Sequence, residues 1–267
     1  MINMSEYETI ELEIIDTDNY AIIYFNRPNQ MNALIYKLAE ELFLALDNIS
    51  KNDSIRCVII TGRGKAFCSG GDVLEFQKAE RPEEHIAKLV GKLHEVIRIL
   101  NYMNAPSIAA VNGACFGAGL GLACACDFRI CSENARFGSA FTSVGLSPDT
   151  STTFFLPKIV GLSIAREMIF LNRILNSEEA KKANLVSQIF SNDSFLDEIK
   201  KLAIKLSNGP PVAFGSAKKL LTNSNSNNLE QHLEEERENV IKNAGLEDFQ
   251  EGIRSFFEKR KPNFKGK

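Results

Sequence analysis

Several features are missing from this chain of 267 residues, and each absence removes a class of protein. No apolar run approaches the roughly 20 residues that a membrane-spanning helix needs. The acidic first stretch, MINMSEYETIELEI, lacks the basic and apolar blocks of a signal peptide. With 31 basic and 34 acidic side chains, the net charge of −3 offers no general attraction to nucleic acid or to an anionic membrane. We therefore expect a cytoplasmic protein whose partners include neither nucleic acid nor a membrane.

Motifs for metals and nucleotides are missing too. Cys124 and Cys126 form a C-x-C pair, but no second Cys or His pair stands at ligand spacing, so we expect no metal site. The six cysteines are expected to be small buried side chains in a reducing compartment. The run TGRGK, which ends at Lys65, lacks the first glycine and the Ser or Thr of a phosphate loop. GAGLG does not have the G-x-G-x-x-G spacing of a dinucleotide site.

What the chain does contain is a pair of glycine-rich runs, GKAFCSGGD at 64–72 and VNGACFGAGLGLACACD at 111–127. Each stands where a predicted strand gives way to a predicted helix. The first turn of a helix leaves backbone N–H groups without internal acceptors, and its dipole favours negative charge. Two such turns that meet would form an oxyanion hole, which stabilises a thioester enolate by a few kcal/mol per donor. The runs therefore predict acyl-thioester chemistry.

Five stretches, taken in order, resemble the enoyl-CoA hydratase/isomerase (crotonase) superfamily. They are AIIYFNRPNQMNAL at 21–34, the two glycine runs, ARFGSAFTSVGLSPDTSTTFFLPKIVG at 135–161 and EGIRSFFEKRKPNF at 251–264. The resemblance implies an α/β fold with a crotonase-like ββα spiral core over 1–207. It also implies a C-terminal helical region over 208–267 that covers the active site and helps to form a homotrimer or a dimer of trimers. The substrate would be an acyl-CoA thioester, with coenzyme A as part of the substrate and no separate cofactor.

The resemblance also places site residues on this sequence. The oxyanion donors fall on the N–H groups of Gly71 and Ala118, where small residues let the acyl group approach the backbone. Arg27 and Lys65 match positions that contact coenzyme A, and Phe257, Lys261 and Lys265 are weaker candidates for its adenine end. The remaining expected substrate contacts are Ala66, Phe67, Ser69, Gly70, Asp72, Val73, Gly117 and Phe141.

Two departures from the family pattern concern catalysis. The two glutamates that position and deprotonate water in hydratases of the family correspond here to Gly121 and Phe141. Neither side chain can carry a proton, whereas adding water needs both a base and an acid, and general acid–base catalysis contributes about 10²–10⁴-fold. The sequence therefore argues against a hydratase of the usual mechanism.

Asp149 is the carboxylate that we expect to carry the chemistry. It stands in the same Pro-Asp pair as an aspartate of the branch that resembles ring-1,2-epoxyphenylacetyl-CoA isomerase, where it moves a proton between carbons. At the matching position of 4-chlorobenzoyl-CoA dehalogenase, the aspartate attacks the ring. The structural alternative is a helix N-cap, because Thr-Ser-Thr-Thr and an apolar run follow Asp149. The resemblance favours an acyl-CoA isomerase in which Asp149, partly desolvated by Phe141 and Val144, is the acid and base.

The position of His94 leaves a dehalogenase-like function open as an alternative. It lies twelve residues before Pro106, as does the histidine that the dehalogenase uses as a base, although a helix residue packed under the loop is the simpler interpretation. Phe141 replaces the tryptophan that donates to the nucleophilic carboxylate in the dehalogenase, and phenylalanine cannot donate. An atypical hydratase and a non-catalytic acyl-CoA or RNA-binding protein are further alternatives. Phe76 and Leu93 are interpreted either as pocket residues or as core.

Hydrophobic patterns predict the elements that carry these motifs. Ile10–Ile15 and Tyr20–Phe25 are predicted to form a hairpin, and 31–49 an amphipathic helix. Further strands are predicted at 55–61, 107–111 and 128–131, and further helices at 83–100, 211–221 and 229–243. Such alternation indicates parallel strands joined by right-handed crossovers.

Overall fold

The computed structural model describes residues 7–267, which alternate between strands and helices. The strands are β1 (Ile10–Ile15), β2 (Tyr20–Phe25), β3 (Cys57–Gly62), β4 (Ala66–Cys68), β5 (Ser107–Val111), β6 (Ala114–Phe116), β7 (Phe128–Ser132), β8 (Arg136–Gly138), β9 (Leu175–Asn176) and β10 (Gln188–Phe190). The helices are α1 (Tyr36–Ser50), α2 (Val73–Lys78), α3 (Pro82–Tyr102), α4 (Ala118–Ala125), α5 (Thr152–Val160), α6 (Leu162–Phe170), α7 (Ser177–Lys182), α8 (Phe195–Ser207), α9 (Pro211–Asn223), α10 (Leu229–Ala244) and α11 (Glu247–Glu258). Among residues 7–267, no helix is both long and apolar enough to cross a membrane.

The strands form two sheets that the chain visits in turn. The larger sheet has the order β1-β2-β3-β5-β7-β10, and the smaller sheet has the order β4-β6-β8-β9. The pairs β3–β4, β5–β6 and β7–β8 each place one strand in the larger sheet and the next in the smaller sheet, before one or more helices follow. This repetition is the predicted ββα spiral. Because β4 and β6 are parallel neighbours, the glycine-rich loops that follow them leave the same edge of the smaller sheet.

The central strands of the larger sheet, β2, β3 and β5, are buried on both faces, as their sequence requires. Strand β2 is buried along its whole length, and β3 is buried up to its last residue. Parallel strands covered on both sides read as continuous apolar runs, which is the pattern of YAIIYF and CVIIT. The predicted hairpin is confirmed, with Ile10 paired to Phe25 and Ile15 to Tyr20.

The predicted start of the first helix, at 31, is wrong. Met31 and Asn32 have left-handed φ angles of 52° and 54°, and α1 begins at Tyr36. The Asn32 side chain is fully buried, accepts the N–H of Arg27 and donates to the carbonyls of Arg63 and Ala66. An apolar spacing that looked helical therefore belongs partly to a tight turn held by an asparagine.

All six cysteines are buried and free, as expected. Burial raises the pKa of the thiols of Cys68, Cys124 and Cys126 to about 12, because an apolar environment disfavours the thiolate. These side chains are therefore packing groups rather than nucleophiles.

The C-terminal helices α9, α10 and α11 follow the end of α8 at Ser207. Helix α9 is tied to the rest of the chain by an ion pair of 2.7 Å between Lys218 and Asp127, whose carboxylate also accepts from the backbone and hydroxyl of Ser107. The division of roles between 1–207 and 208–267 stays a prediction.

Candidate active site

The two glycine-rich loops touch each other through their backbones. Gly70 has a φ of +97° and Gly117 a φ of +54°, both left-handed values that favour glycine. A Cβ atom on Gly70 would lie 3.4 Å from the Cα of Gly117, and one on Gly117 would lie 3.3 Å from the Cα of Gly70. Within residues 7–267, neither the N–H of Gly71 nor that of Ala118 donates a hydrogen bond. The predicted pair of oxyanion donors is therefore brought together with both donors available.

The first loop is fixed by the segment that precedes α1. The Ser69 N–H donates to the carbonyl of Met31 at 3.1 Å, and the Asp72 N–H donates to the carbonyl of Leu34 at 3.0 Å. In return the Leu34 N–H donates to the carbonyl of Gly70 at 2.7 Å. These bonds flank Gly71 on both sides, while its own N–H has no acceptor among residues 7–267.

Arg27 and Asp72, both expected to contact substrate, contact each other. The Arg27 guanidinium lies 3.1 Å from the Asp72 carboxylate and also donates to the carbonyl of Ala33. Asp72 in turn accepts from the Leu74 N–H at 3.2 Å and so caps α2. Both side chains are largely buried, so the pair ties the loop to the preceding turn and to α2. Whether either residue also contacts substrate stays a prediction.

A cavity of about 150 Å³ opens beside the paired amides. It is lined by Ser69, Gly70, Gly71, Val73, Phe76, Ile86, Leu89, Val90, Leu93, Gly117, Ala118, Ala140, Phe141, Ser143, Val144, Leu146 and Asp149. Eight of the expected site residues therefore share one cavity: Ser69, Gly70, Gly71, Val73, Gly117, Ala118, Phe141 and Asp149. The two positions read either as pocket or as core, Phe76 and Leu93, line it as well. The Phe76 ring covers the first loop, since a Cβ on Gly71 would lie 2.6 Å from it.

The other expected site residues do not line this cavity. Ala66 and Phe67 are fully buried beneath the loop, whereas Lys65 is exposed at its start. Phe257 is 78% exposed near the end of α11, and Lys261 is exposed beyond it. The cavity lining comes from residues 69–149, so within one chain no residue of the described C-terminal helices lines it.

Asp149 is half-buried and lines the cavity. Burial raises the pKa of its carboxyl above the ordinary value, while the Thr150 hydroxyl, which donates to the carboxylate, and the charge of His94 oppose the rise. His94 is exposed on α3 and does not line the cavity. The N-cap alternative is wrong, because Thr150 and Ser151 are left-handed and α5 begins only at Thr152, with Ser151 as its N-cap.

The loop that carries Asp149 occupies the space beside Gly121. A Cβ on Gly121 would lie 2.8 Å from the Thr152 hydroxyl and 3.0 Å from the Thr150 Cβ, and closer still to the Thr150 carbonyl oxygen. Position 121 therefore has no room for any side chain, which sequence reasoning missed.

The family model described as enoyl-CoA hydratase/isomerase matches residues 16–267. The chain belongs to this family. It is 33% identical over 255 residues to a protein of an Arthrobacter species named 4-chlorobenzoyl coenzyme A dehalogenase-2, covering 95% of this chain and 92% of that one. It is 30% identical over 244 residues to the 1,2-epoxyphenylacetyl-CoA isomerase of Escherichia coli K12, covering 91% and 93% of the two chains.

Solved structures agree on the architecture of the family. The crystal structure of an enoyl-CoA hydratase from Bacillus anthracis matches with a TM-score of 0.92 at 32% identity, covering 97% of this chain and all of that one. The fold is therefore the crotonase fold, as expected. Relatives with this fold are named as hydratase, dehalogenase and isomerase, so the reaction of this member depends on its own side chains.

Proposed function

We propose that this protein is an acyl-CoA isomerase that moves a double bond within an unsaturated acyl-CoA. One observation carries the proposal: Asp149 is the single ionisable side chain among the residues that line the cavity beside the amides of Gly71 and Ala118. A lone carboxylate next to an oxyanion hole can remove and return a proton, but it cannot serve water and carbon at the same time.

The reaction follows from this arrangement. The thioester oxygen accepts hydrogen bonds from the N–H groups of Gly71 and Ala118, which stabilises the negative charge of an enolate. Asp149 takes a proton from one carbon of the acyl chain, and the electron pair moves into the conjugated dienolate. The same carboxyl group returns the proton at another carbon, and the double bond has moved with no net change in composition. The raised pKa of Asp149 makes its carboxylate a better base than an ordinary aspartate.

Two features support proton transfer over hydration. Phe141, which stands where a hydratase carries a glutamate, lines the cavity and is 8% exposed. Gly121, the other such position, lies against the Thr150–Thr152 turn. An apolar cavity with one carboxylate also keeps water away from the enolate.

The proposed substrate carries its own coenzyme A, so no separate cofactor is needed. Lys65, exposed at the start of the first loop, and Arg27 are the proposed contacts to coenzyme A, with Phe257, Lys261 and Lys265 as weaker candidates for its adenine end. We also propose the homotrimer or dimer of trimers implied by the family. Its support is the apolar surface on the C-terminal helices, where Leu221, Phe256 and Phe257 are each more than 70% exposed. Sedimentation analysis of the purified chain tests this state.

A dehalogenase-like hydrolase is the second candidate. The charge of His94 acts on Asp149, which is the pair that such an enzyme needs as base and nucleophile, and a relative at 33% identity has that name. Phe141 argues against it, because its ring cannot donate a hydrogen bond to the carboxylate.

The test is a product assay with matched 2-enoyl-CoA and 3-enoyl-CoA in heavy-oxygen water, with Asp149→Asn as the variant. We expect double-bond migration without heavy oxygen in the product, and a loss of about 10²–10⁴-fold in the variant. A heavy-oxygen hydroxyacyl product, or full activity of Asp149→Asn, would overturn the proposal. A covalent adduct on Asp149 after incubation with 4-chlorobenzoyl-CoA would favour the second candidate.

A further inference from the structure

The wall of the cavity that faces the two amides is apolar. Helices α2 and α3 contribute Phe76, Ile86, Leu89, Val90 and Leu93, and the segment 140–146 adds further apolar side chains. The remaining polar side chains of the lining are the hydroxyls of Ser69 and Ser143 and the carboxyl of Asp149. An acyl chain whose thioester oxygen lies at the amides must therefore extend along hydrocarbon.

The cationic side chains near this wall are either paired with carboxylates or exposed. His85 lies 3.1 Å from the Glu75 carboxylate, and Lys92 lies 2.7 Å from that of Glu95. Lys88 and His94 are exposed on α3 and line no part of the cavity. No lysine, arginine or histidine of the described chain lines the cavity, so no cation stands in contact with an anionic substituent there.

We propose that this cavity selects acyl groups that end in hydrocarbon and rejects acyl-CoA thioesters that carry a second, terminal carboxylate. The inference rests on the proposed function in taking the cavity as the acyl site. A terminal carboxylate would lose its hydration without gaining a cation, which disfavours its burial strongly. It would also lie in the same small cavity as Asp149, and like charges repel most where water is excluded. A hydrocarbon end of the same length meets neither obstacle and gains from leaving water.

The test compares hexanoyl-CoA with adipyl-CoA, which have the same number of acyl carbons and differ in the terminal carboxylate. Both acyl chains are saturated, so calorimetric binding to the full chain is independent of turnover. We expect adipyl-CoA to bind at least about 100-fold more weakly, as burying an unpaired charge implies. Affinities within about threefold of each other would overturn the specificity. Failure of both to bind would instead remove the acyl site itself, and with it the proposed function.

A second test places a positive charge in the apolar wall of the cavity. Val90 is half-buried, so Val90→Lys puts an ammonium group at the cavity on a flexible stem, and Val90→Met adds comparable length without charge. We expect Val90→Lys to bind adipyl-CoA about 10-fold more tightly than Val90→Met does, with no such gain for hexanoyl-CoA. Equal affinities of the two variants for adipyl-CoA, with unchanged circular dichroism, would overturn the electrostatic basis.

Discussion

The two sides of the cavity present different chemical groups. On one side, the loops after β4 and β6 present backbone amides, and the glycines there lie against backbone atoms of the neighbouring loop. On the other side, α2, α3 and the segment 140–149 present side chains. Backbone amides provide what every thioester enolate needs, whereas side chains decide where protons go and which acyl group fits. Under the proposed function, one side therefore fixes the class of chemistry and the other fixes the individual reaction.

The largest effect on this division of roles is expected when a carboxylate is placed on the side of the site that is built from backbone amides. Gly121→Glu restores a residue type that hydratases use, but the Thr150–Thr152 turn fills its space. We expect no hydratase activity and a fall in the free energy of unfolding of about 3 kcal/mol, as overpacking and a buried charge imply. Thermal unfolding and the heavy-oxygen assay measure both effects.

Gly91→Glu is the matched control for that change. Gly91 is exposed on α3 with no atom within 4 Å of an added Cβ, so the same charge there should leave the fold stable. Heavy-oxygen hydroxyacyl product from Gly121→Glu would show that the turn yields to the new side chain.

A smaller change on the same side tests the contact between the loops. Gly70→Ala adds a methyl group at a φ of +97° and 3.2 Å from the carbonyl of Phe116. The loop must move, and with it the N–H of Gly71, so we expect kcat to fall by about 10²–10³-fold, the range for losing one oxyanion donor. Gly91→Ala should instead stabilise α3 by about 0.5–1 kcal/mol with unchanged kcat. Near-normal kcat for Gly70→Ala would mean that this amide is not used.

The first glycine-rich loop can also be loosened by removing the arginine that is paired with Asp72. Arg27→Ala removes the partner of Asp72 and the donor to Ala33, so the first loop loses its tie to the turn that precedes α1. We expect kcat to fall about 10-fold, because hydrogen bonds to charged groups contribute about 1.5–3 kcal/mol and 1.36 kcal/mol is tenfold in rate. Arg27→Lys should recover little, since it cannot reach both acceptors with one planar group. A large rise in KM for acyl-CoA at unchanged kcat would instead assign Arg27 to substrate binding.

The smallest effect is expected from the neighbour of the base. Thr150→Val keeps the branched shape but removes the hydroxyl that donates to Asp149 and lowers its pKa. The pKa should therefore rise further, and because the reaction needs the carboxylate, the acidic limb of kcat/KM should move to higher pH. At neutral pH the loss should stay below about 10-fold. Thr150→Ser, which retains the hydroxyl, should keep the acidic limb of kcat/KM at its original pH. An acidic limb that does not move in Thr150→Val would argue against Asp149 as the base.

Sequence reasoning reached the local features and missed those set by distant contacts. The hairpin of β1 and β2 followed from alternating apolar residues around a polar turn, and the convergence of the glycine runs followed from strand-to-helix geometry. The pairing of Arg27 with Asp72 joins residues 45 positions apart, which no periodicity reveals. The left-handed turn at Thr150 and Ser151 was equally hidden, since neither residue type favours that conformation.

Labelling of the buried thiols can report local unfolding of this fold. Alkylating reagents need a thiolate that is both formed and reachable, and all six cysteines are sealed within the two sheets and around α4. Cys57 and Cys131 lie on the larger sheet, whereas Cys68 and Cys115 lie on the smaller one. The number of labels that one molecule acquires in a short pulse of reagent therefore distinguishes a spiral that opens one sheet at a time from one that opens as a single cooperative unit.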